Sequence, residues 1–487
     1  MAMDKPAASW KQRLRACLLP TISFATGFSL LTYELAAARV LAPTIGSSTY
    51  VWTGVIGVII ASLSLGFFIG GRIADKRNRR TDLVWLLILA SLMAVSTLLT
   101  YENVLQSIAE TDWDSRWQAV VAAVVLFAPT SYFIGMTSPY LAKLNVSSLT
   151  MTGRAVANLD TFNAIGGIAG TFVTGFILFG YIGAHEAISL VAIILLSLSW
   201  TIAPRIYIGK RIAVTVILLV CALSPQSAVQ GVTKIDTASA HYEVISGFWG
   251  YRPVTGLVTG PTGTQSAVYQ DKPNDPVFWY VQEAVRLAVE RQPKSILVLG
   301  GGAFTMPQHL SERLPHSQID VVEIDPMLED ISQTYFGYTH PNNVTEIFTD
   351  ARTYTNKTNK TYDMIIVDVY GDTTIPFTFM TKEYGQQLAR ILVNNGLVVA
   401  NVIGGETGAC RETLTAVDAS YRSRLPYVWY ATESGHAEER ANYIMAYAKY
   451  DAKPKGLKRF TDALGRVYTD NFAPAERLYY GCLERGK

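Results

Sequence analysis

Long apolar stretches alternate with short polar loops over the first 230 residues of the chain. Each stretch has about the 20 residues that a helix needs to cross a bilayer. The pattern therefore predicts six membrane helices, at 18–41, 50–71, 83–101, 117–138, 157–181 and 185–203. A seventh stretch, 212–229, has only a short apolar core before Ser224 and Pro225, so the pattern leaves open whether it crosses.

Lysine and arginine are unevenly distributed among the predicted loops. They follow the second, fourth and sixth helices, whereas the loop after the third helix is acidic. Because basic loops stay in the cytoplasm, we expect an integral protein of the cytoplasmic (inner) membrane with a cytoplasmic N-terminus. The side of the remaining chain depends on the seventh stretch. The chain after residue 230 lies outside the cytoplasm if that stretch crosses the membrane, and inside the cytoplasm if it does not.

The pattern changes at about residue 231 to that of a water-soluble domain. His241 to Tyr269 alternates apolar and polar residues between glycine and proline turns, which predicts a small antiparallel sheet. Short apolar runs then alternate with helical segments, which predicts an α/β sheet. We therefore expect a helical membrane domain at 1–230, a small β subdomain at 231–285 and a Rossmann-like α/β domain at 286–487.

The first candidate binding residues form a glycine turn. The predicted strand Ile296 to Leu299 stops at the successive residues Gly300, Gly301 and Gly302, and the next strand carries Glu323 at its end. Residues without side chains let the backbone approach a ligand, and an acidic group at this distance suits the two hydroxyls of a ribose. The turn predicts a nucleoside site.

Two further acidic residues also follow predicted strands, Asp350 after 344–349 and Asp368 after 364–367. The carboxyl ends of parallel strands form the edge at which such sheets bind ligands. Each residue has a purely structural alternative. Asp350 could cap the following helix and Asp368 could form a turn at the strand end.

The composition is typical of a membrane protein and gives no indication of nucleic acid or metal as a partner. The chain is 49% hydrophobic and 16% charged, with a mean hydropathy of +0.21. A formal net charge of +2 with no basic aromatic patch gives no indication of nucleic-acid binding. The six histidines have no metal-ligand spacing, so we expect no metal site. The four cysteines lie far apart and match neither a zinc pattern nor a disulfide framework.

The order of several short motifs resembles the spermidine synthase family, and more closely the members of that family that carry a multi-helix N-terminal half. In the second half of the chain the motifs are GGG, VEIDP, TDAR, YDMIIVD, MTKEY and TDNFAPAERLY. In the first half they are YELAAARVLAPTIGSS, GGRIADK, IGMTSPYLAKL and NLDTFNAIGGIAG. The resemblance implies a Rossmann-like domain of the class I methyltransferase and spermidine synthase type.

The resemblance also implies roles in binding the nucleoside donor. Glu323 would bind the ribose, Asp350 the adenine amino group, and Ala351 would lie beside the ring. Gln265 matches a position that faces the donor sulfur. The implied co-substrate is decarboxylated S-adenosylmethionine or S-adenosylmethionine itself.

The implied catalytic residues are Asp368, Asp372 and Tyr280. Asp368 matches the acid that takes a proton from the attacking amine, and Tyr280 matches a position facing the amine acceptor. An alkyl ammonium cannot attack until it is deprotonated, and a fixed carboxylate can hold it and accept its proton. The structural alternatives are a turn for Asp372 and a core position for Tyr280.

The chain departs from the family pattern in two places. The glycine motif continues with Ala303, where the family has an aspartate that grips the amine end of a decarboxylated donor. Asp368 and Asp372 are four residues apart, whereas the family's paired aspartates are three apart. Loss of the acid makes intact S-adenosylmethionine more plausible as the donor.

Three functions therefore stay open. The first is aminopropyl transfer to a small amine, with release of methylthioadenosine, by an enzyme of polyamine biosynthesis bound to the lipid bilayer. The second is another use of S-adenosylmethionine, either methyl transfer or cleavage of the sulfonium. The third is a nucleoside-binding module for membrane transport or sensing. The sequence is compatible with a homo-oligomer.

Overall fold

The chain divides into two compact units, Met1–Ala228 with Asp236–His241, and Val229–Ile235 with Tyr242–Lys487. The computed structural model describes residues 10–77, 79–111, 113–145, 152–202, 208–222, 231–260, 263–370, 375–433, 440–461 and 465–485.

The described part of the first unit is built from α-helices. They are α1 (Trp10–Ile45), α2 (Thr49–Lys76), α3 (Arg80–Ala109), α4 (Ser115–Leu126), α5 (Ala128–Asn145), α6 (Thr152–Phe176), α7 (Ala184–Ile202) and α8 (Ile208–Ala222). A short 3-10 helix, Leu178–Gly180, connects α6 to α7.

Four of the described helices are long and apolar enough to cross a membrane: α2, α3, α6 with its extension to Gly180, and α7. The predicted fourth span falls on α4 and α5, which are bent by 55° at their junction and make a fifth candidate if they form one span. Pro129, the second residue of α5, explains this break, because proline has no N–H and its ring clashes with the preceding helical turn. The predicted first span falls on α1, which is not among the four.

Close contact between α1 and α6 depends on glycine. A Cβ added to Gly166 would lie 1.9 Å from the Phe24 carbonyl oxygen, and one added to Gly27 would lie 2.1 Å from the Asn163 carbonyl oxygen. Small residues at such positions let helix backbones approach closely. The helix pair is therefore held by backbone proximity that any larger side chain would prevent.

We expect Gly166→Ala to lower the stability of the first unit by about 1–3 kcal/mol, because the new methyl group forces the α1 and α6 backbones apart. Gly57→Ala in α2 is the matched control, since a Cβ there meets nothing within 4 Å. The measurement is the thermal unfolding midpoint of the detergent-purified protein. Equal midpoints for the two variants would show that the α1–α6 contact is not tight.

The second unit contains two sheets. A small antiparallel sheet has the order β1 (Val232–Asp236), β2 (His241–Trp249), β3 (Arg252–Gly260) and β4 (Gly263–Tyr269). The large sheet is built from β5 (Ser295–Leu299), β6 (Gln318–Glu323), β7 (Val344–Phe348), β8 (Tyr362–Val367), β9 (Leu392–Gly404), β10 (Tyr427–Thr432), β11 (Ala441–Ala448) and β12 (Lys458–Arg459).

Helices cover this large sheet. They are α9 (Trp279–Arg291), α10 (Thr305–Arg313), α11 (Met327–Tyr335), α12 (Ala351–Lys357), α13 (Lys382–Ile391), α14 (Gly408–Arg422) and α15 (Ala475–Arg485). The strand order is β12-β10-β11-β9-β8-β5-β6-β7. The five neighbouring strands β9, β8, β5, β6 and β7 are parallel to one another. Strand β11 is antiparallel to both of its neighbours, β9 and β10. The central strands are apolar on both faces because helices bury both, as in other parallel sheets.

The prediction was incomplete at the edges of this domain. It missed β1 and the described elements after β9. The small sheet and the strands from β5 to β8 lie where the hydrophobic pattern predicts them. The fold is therefore a helical region followed by a Rossmann-like domain with a mixed sheet, as expected.

The structure also corrects the interpretation of the cysteines. Cys410 in α14 and Cys482 in α15 form a disulfide, with their Cα atoms 4.4 Å apart. The bond closes a separation of 72 residues, which is too long for a recognisable spacing motif. Packing between the two helices brings the cysteines together, and such packing is invisible in a spacing pattern.

Candidate active site

The candidate site lies where the strand order of the large sheet reverses. β5 pairs with β6 on one side and with β8 on the other, so the chain crosses in opposite directions from this strand. Open α/β sheets bind ligands in the crevice at such a switch point. Gly300 follows β5 here and Asp368 follows β8, with the Asp368 N–H donating to the Leu299 carbonyl at 2.9 Å.

Position 300 requires a glycine because of its backbone conformation and its close neighbour. Its φ is +94°, and a Cβ would lie 2.1 Å from the carbonyl oxygen of Asp368. Any side chain would therefore push the turn away from β8. The glycine turn and the acidic strand end are held together by this close approach.

Glu323 organises the glycine turn. Its Oε2 accepts the N–H groups of Gly301 at 2.8 Å and Gly302 at 3.1 Å. Its Oε1 accepts those of Ile324 at 2.7 Å and Asp325 at 3.0 Å. The four bonds match the roughly four acceptor positions of a carboxylate. The ribose role of Glu323 stays a prediction, and it requires ribose hydroxyls to share or replace some of these bonds.

Asp350 begins α12 as its N-terminal cap. Its Oδ1 accepts the Thr353 N–H at 2.7 Å, which is the structural alternative that the sequence raised. Ala351 is the first residue of the helix and is buried. The cap uses one of the two carboxylate oxygens and therefore does not test the predicted ligand contact. The contact of Asp350 and Ala351 with an adenine stays a prediction.

Asp368 is held by two side chains. Asn401 in β9 donates from Nδ2 to Asp368 Oδ1 at 2.9 Å, and the Tyr280 hydroxyl also donates to the carboxylate. Burial raises the pKa of Asp368 to about 6, although the two hydrogen bonds oppose this by favouring the ionised form. A carboxylate with such a pKa is mostly ionised at neutral pH and is a stronger base than an exposed aspartate.

Tyr280 lies in the first turn of α9 and stacks on Phe278, with ring centroids 5.9 Å apart. Burial, and next the negative charge of Asp368, raise the pKa of Tyr280 well above its ordinary value. The phenol is therefore a hydrogen-bond donor to Asp368 at any physiological pH. The structure brings Tyr280 and Asp368 together, and their catalytic roles stay predictions.

Gln265 lies in β4, and its Oε1 is buried without a hydrogen-bond partner among the described residues. The next residue, Ser266, accepts the Ala303 N–H at 3.1 Å through its hydroxyl. β4 is thereby joined to the glycine turn. Because buried polar atoms are nearly always paired, the Gln265 oxygen is suited to accept a hydrogen bond from a ligand.

Asp372 lies outside the described residues, so its catalytic role stays a prediction. Over the part of the chain that the structure describes, no group of three or more potential ligands that could hold a metal ion is found.

Sequence reasoning missed Asn401 and Ser266. Asn401 interrupts the apolar run of β9, and an amide at such a position is the signal that could have indicated it. Its own Oδ1 is buried and has no partner among the described residues. Nothing in the sequence of β4 distinguishes Ser266 from the polar residues before it, Thr264 and Gln265.

We expect Asn401→Leu to move the acid limb of the pH–activity profile upward by about one to two pH units, because loss of a hydrogen bond to a charged group raises the pKa of Asp368. Asn394→Leu is the matched control, an exposed asparagine in the same strand. The profile should be measured on the purified protein at saturating substrates. An unmoved limb would show that Asn401 does not tune Asp368.

The second unit is a Rossmann-like domain with a candidate site at the switch point of its sheet, and comparison with known proteins gives the family. The model of the spermine/spermidine synthase domain matches residues 283–432. A polyamine aminopropyltransferase from Vibrio vulnificus is 30% identical over 293 residues, covering 54% of this chain and 96% of the relative. The chain therefore belongs to the spermine/spermidine synthase family and is a transferase, as the motifs predicted.

Two further likenesses are more partial. An eEF1A lysine and N-terminal methyltransferase from Danio rerio is 26% identical over 174 residues, covering 34% of this chain and 24% of the relative. The crystal structure of a probable spermidine synthase from Corynebacterium glutamicum is similar over 46% of this chain and 81% of that one, at 20% identity and a TM-score of 0.38.

Proposed function

We propose that the protein is a membrane-bound aminopropyltransferase. It moves the aminopropyl group of decarboxylated S-adenosylmethionine to a small amine and releases methylthioadenosine. The observation that carries the proposal is the Asp368 carboxylate, which has a raised pKa and lies against the glycine turn at the switch point of the sheet. Family membership supplies the reaction type.

In this reaction the amine nitrogen attacks the carbon next to the donor sulfur. The C–N bond forms as the C–S bond breaks, and the sulfur leaves as a neutral thioether. Asp368 would accept the proton that the substrate ammonium must lose before its nitrogen can attack, and Tyr280 and Asn401 would hold the carboxylate in place. The sulfonium needs little activation, so positioning supplies most of the remaining catalysis.

The membrane part of the proposal is supported by the surfaces of the long helices. The most apolar windows of α2 and α6 are only 22% and 28% buried within the protein. Large apolar side chains are exposed on both, including Phe68 and Phe172, at 55% and 54%. Apolar surface of this extent would be unstable in water and matches a hydrocarbon environment.

A second candidate is a different reaction of S-adenosylmethionine, either methyl transfer or sulfonium cleavage. The residue that favours it is Ala303, which is 1% exposed and gives its N–H to the Ser266 hydroxyl. Position 303 thus offers no carboxylate to bind the ammonium end of a decarboxylated donor. A similarity to the zebrafish methyltransferase points the same way, although it covers only 34% of this chain.

The test is to incubate the detergent-purified full chain with each donor, with and without a diamine, and to identify all products by mass spectrometry. We expect methylthioadenosine and an aminopropylated amine from the decarboxylated donor only when the diamine is present. S-adenosylhomocysteine from the intact donor would favour methyl transfer. Methylthioadenosine formed without the amine would favour sulfonium cleavage, and no turnover with either donor would favour a binding module.

A further inference from the structure

We infer that the second unit, which contains the glycine turn and Asp368, lies on the non-cytoplasmic side of the membrane. The inference rests on the proposed membrane insertion of the helical unit. Two independent observations support it. One is the path of the chain through the first unit, and the other is the disulfide in the second.

The first unit has two ends that can be defined by side-chain contacts. At one, the Lys143 end, Lys143 at the end of α5 forms a salt bridge with Asp75 at the end of α2, at 2.9 Å. Arg211 near the start of α8 donates to the carbonyl of Ser199 near the end of α7, at 2.7 Å. Because successive helices alternate in direction, the ends of α2, α5 and α7 and the start of α8 lie at this same end.

The opposite end is the Arg39 end. Arg39, near the end of α1, packs over the ring of Phe179 at 4.0 Å, so the connection between α6 and α7 is here. Arg39 also donates to the carbonyls of Thr237, at 2.7 Å, and Ala238. These two residues belong to the segment Asp236–His241, which is part of the first unit. The chain is therefore at the Arg39 end at Thr237 and Ala238, shortly before Tyr242, from which the rest of the chain belongs to the second unit.

The chain consequently passes from the Lys143 end at Arg211 to the Arg39 end at Thr237. The 15 residues of α8 rise about 22 Å, which covers most of the hydrocarbon thickness. Residues 223–230, which follow α8, lie outside the described ranges. Whatever their structure, the contacts on either side require the segment from Arg211 to Thr237 to cross the height of the unit.

Charge assigns the two ends to the two sides of the membrane. The sequence segments that connect helices at the Lys143 end carry most of the basic residues: Arg72, Lys76, Arg77, Arg79, Arg80, Lys143, Arg154, Arg205, Lys210 and Arg211. The connection 102–114, at the Arg39 end, has four acidic residues and neither lysine nor arginine. By the positive-inside rule the Arg39 end faces away from the cytoplasm.

The disulfide supports the same side of the membrane, and this argument is independent of the helix directions. Cys410 and Cys482 are both buried, 8% and 4% exposed, and are joined between α14 and α15. Structural disulfides persist in oxidising compartments and are rare where thiols are kept reduced. Both cysteines belong to the second unit, so that unit is expected to lie outside the cytoplasm.

This location has a consequence for the reaction, which rests on the proposed function. A sulfonium donor carries a permanent positive charge, and charged groups cross a bilayer only at high cost. An enzyme whose site lies outside the cytoplasm therefore requires a transport step that carries an S-adenosyl sulfonium compound across the membrane. The same step, or another, must remove or recover the thioether product.

The side can be tested by labelling single cysteines in intact cells that express the full chain with Cys17→Ser and Cys221→Ser. Tyr251→Cys reports the second unit, since this side chain is fully exposed in the turn between β2 and β3. Arg79→Cys reports the Lys143 end and is the matched control. We expect a membrane-impermeant maleimide to label Tyr251→Cys in intact cells, and Arg79→Cys only after permeabilisation.

The reverse labelling pattern, with Tyr251→Cys protected until the cells are permeabilised, would overturn the inference. A second measurement checks the disulfide: thiols of the wild-type chain are blocked in denaturant directly after cell lysis. We expect Cys410 and Cys482 to react only after reduction, and reaction without reduction would contradict the argument. Neither assay requires turnover, so failure of the proposed function would leave both results interpretable.

Discussion

Asp368→Asn is expected to lower the turnover number by about 10²–10⁴-fold, the usual cost of losing a general base. The amide keeps the shape of the side chain but cannot accept the proton of the attacking amine. Turnover of the wild type should rise with pH through about 6, as Asp368 ionises. The variant should lack this rise near pH 6. Its turnover should increase in part at high pH, where more of the amine is already deprotonated.

The measurement is the initial rate of product formation for both proteins across pH at saturating donor and diamine. Asp330→Asn, which changes an exposed aspartate in α11, is the matched control and should retain wild-type rates. Equal rates for Asp368→Asn and the wild type would mean that Asp368 is a turn-forming residue at a strand end.

The second large effect is expected for Glu323→Ala. Removing the carboxylate leaves the N–H groups of Gly301, Gly302, Ile324 and Asp325 without their acceptor. Each such group that is buried costs about 1–3 kcal/mol when left unpaired. We therefore expect a lower unfolding temperature together with loss of nucleoside binding, since the turn that should face the nucleoside is no longer held.

Calorimetric titration with methylthioadenosine and thermal unfolding measure the two effects on the same sample. Glu312→Ala in α10 is the control, because it removes an exposed carboxylate close to the turn in sequence. Unchanged affinity in Glu323→Ala would exclude Glu323 from the nucleoside site. Unchanged stability would contradict its role in holding the turn.

The glycine turn shows what a sequence of this kind can predict. The period of the strands, the stop at Gly300 and the position of Glu323 are local features, so they predicted the sheet and the edge at which sheets of this kind bind ligands. Residues that act through distant neighbours were not predictable in the same way. Asn401 reaches Asp368 across 33 positions of sequence, and its pairing depends on β8 and β9 lying side by side.

Glu323 and Asp350 illustrate a second limit. Residue type and position indicated ligand contacts, yet both carboxylates also bind backbone N–H groups of their own turn or helix. A sequence does not distinguish these uses, because the same acceptor geometry serves both. The disulfide between Cys410 and Cys482 is a similar case, since only the packing of α14 on α15 brings the two cysteines together.

In the helical half, apolar length predicted the positions of the helices well, but not their continuity. The break between α4 and α5 follows from Pro129, which a hydropathy average conceals. The position of Thr237 beside α1 was also not predictable, because it depends on a contact with Arg39, 198 positions away.

The central claim, aminopropyl transfer with Asp368 as the base, is tested most directly by product stoichiometry. Methylthioadenosine and the aminopropylated amine should be quantified in one reaction of the purified full chain with decarboxylated S-adenosylmethionine and a diamine. The account predicts equal amounts of the two products in the wild type, with both falling together in Asp368→Asn. Methylthioadenosine in excess of the amine product, or formed at the same rate without a diamine, would contradict it.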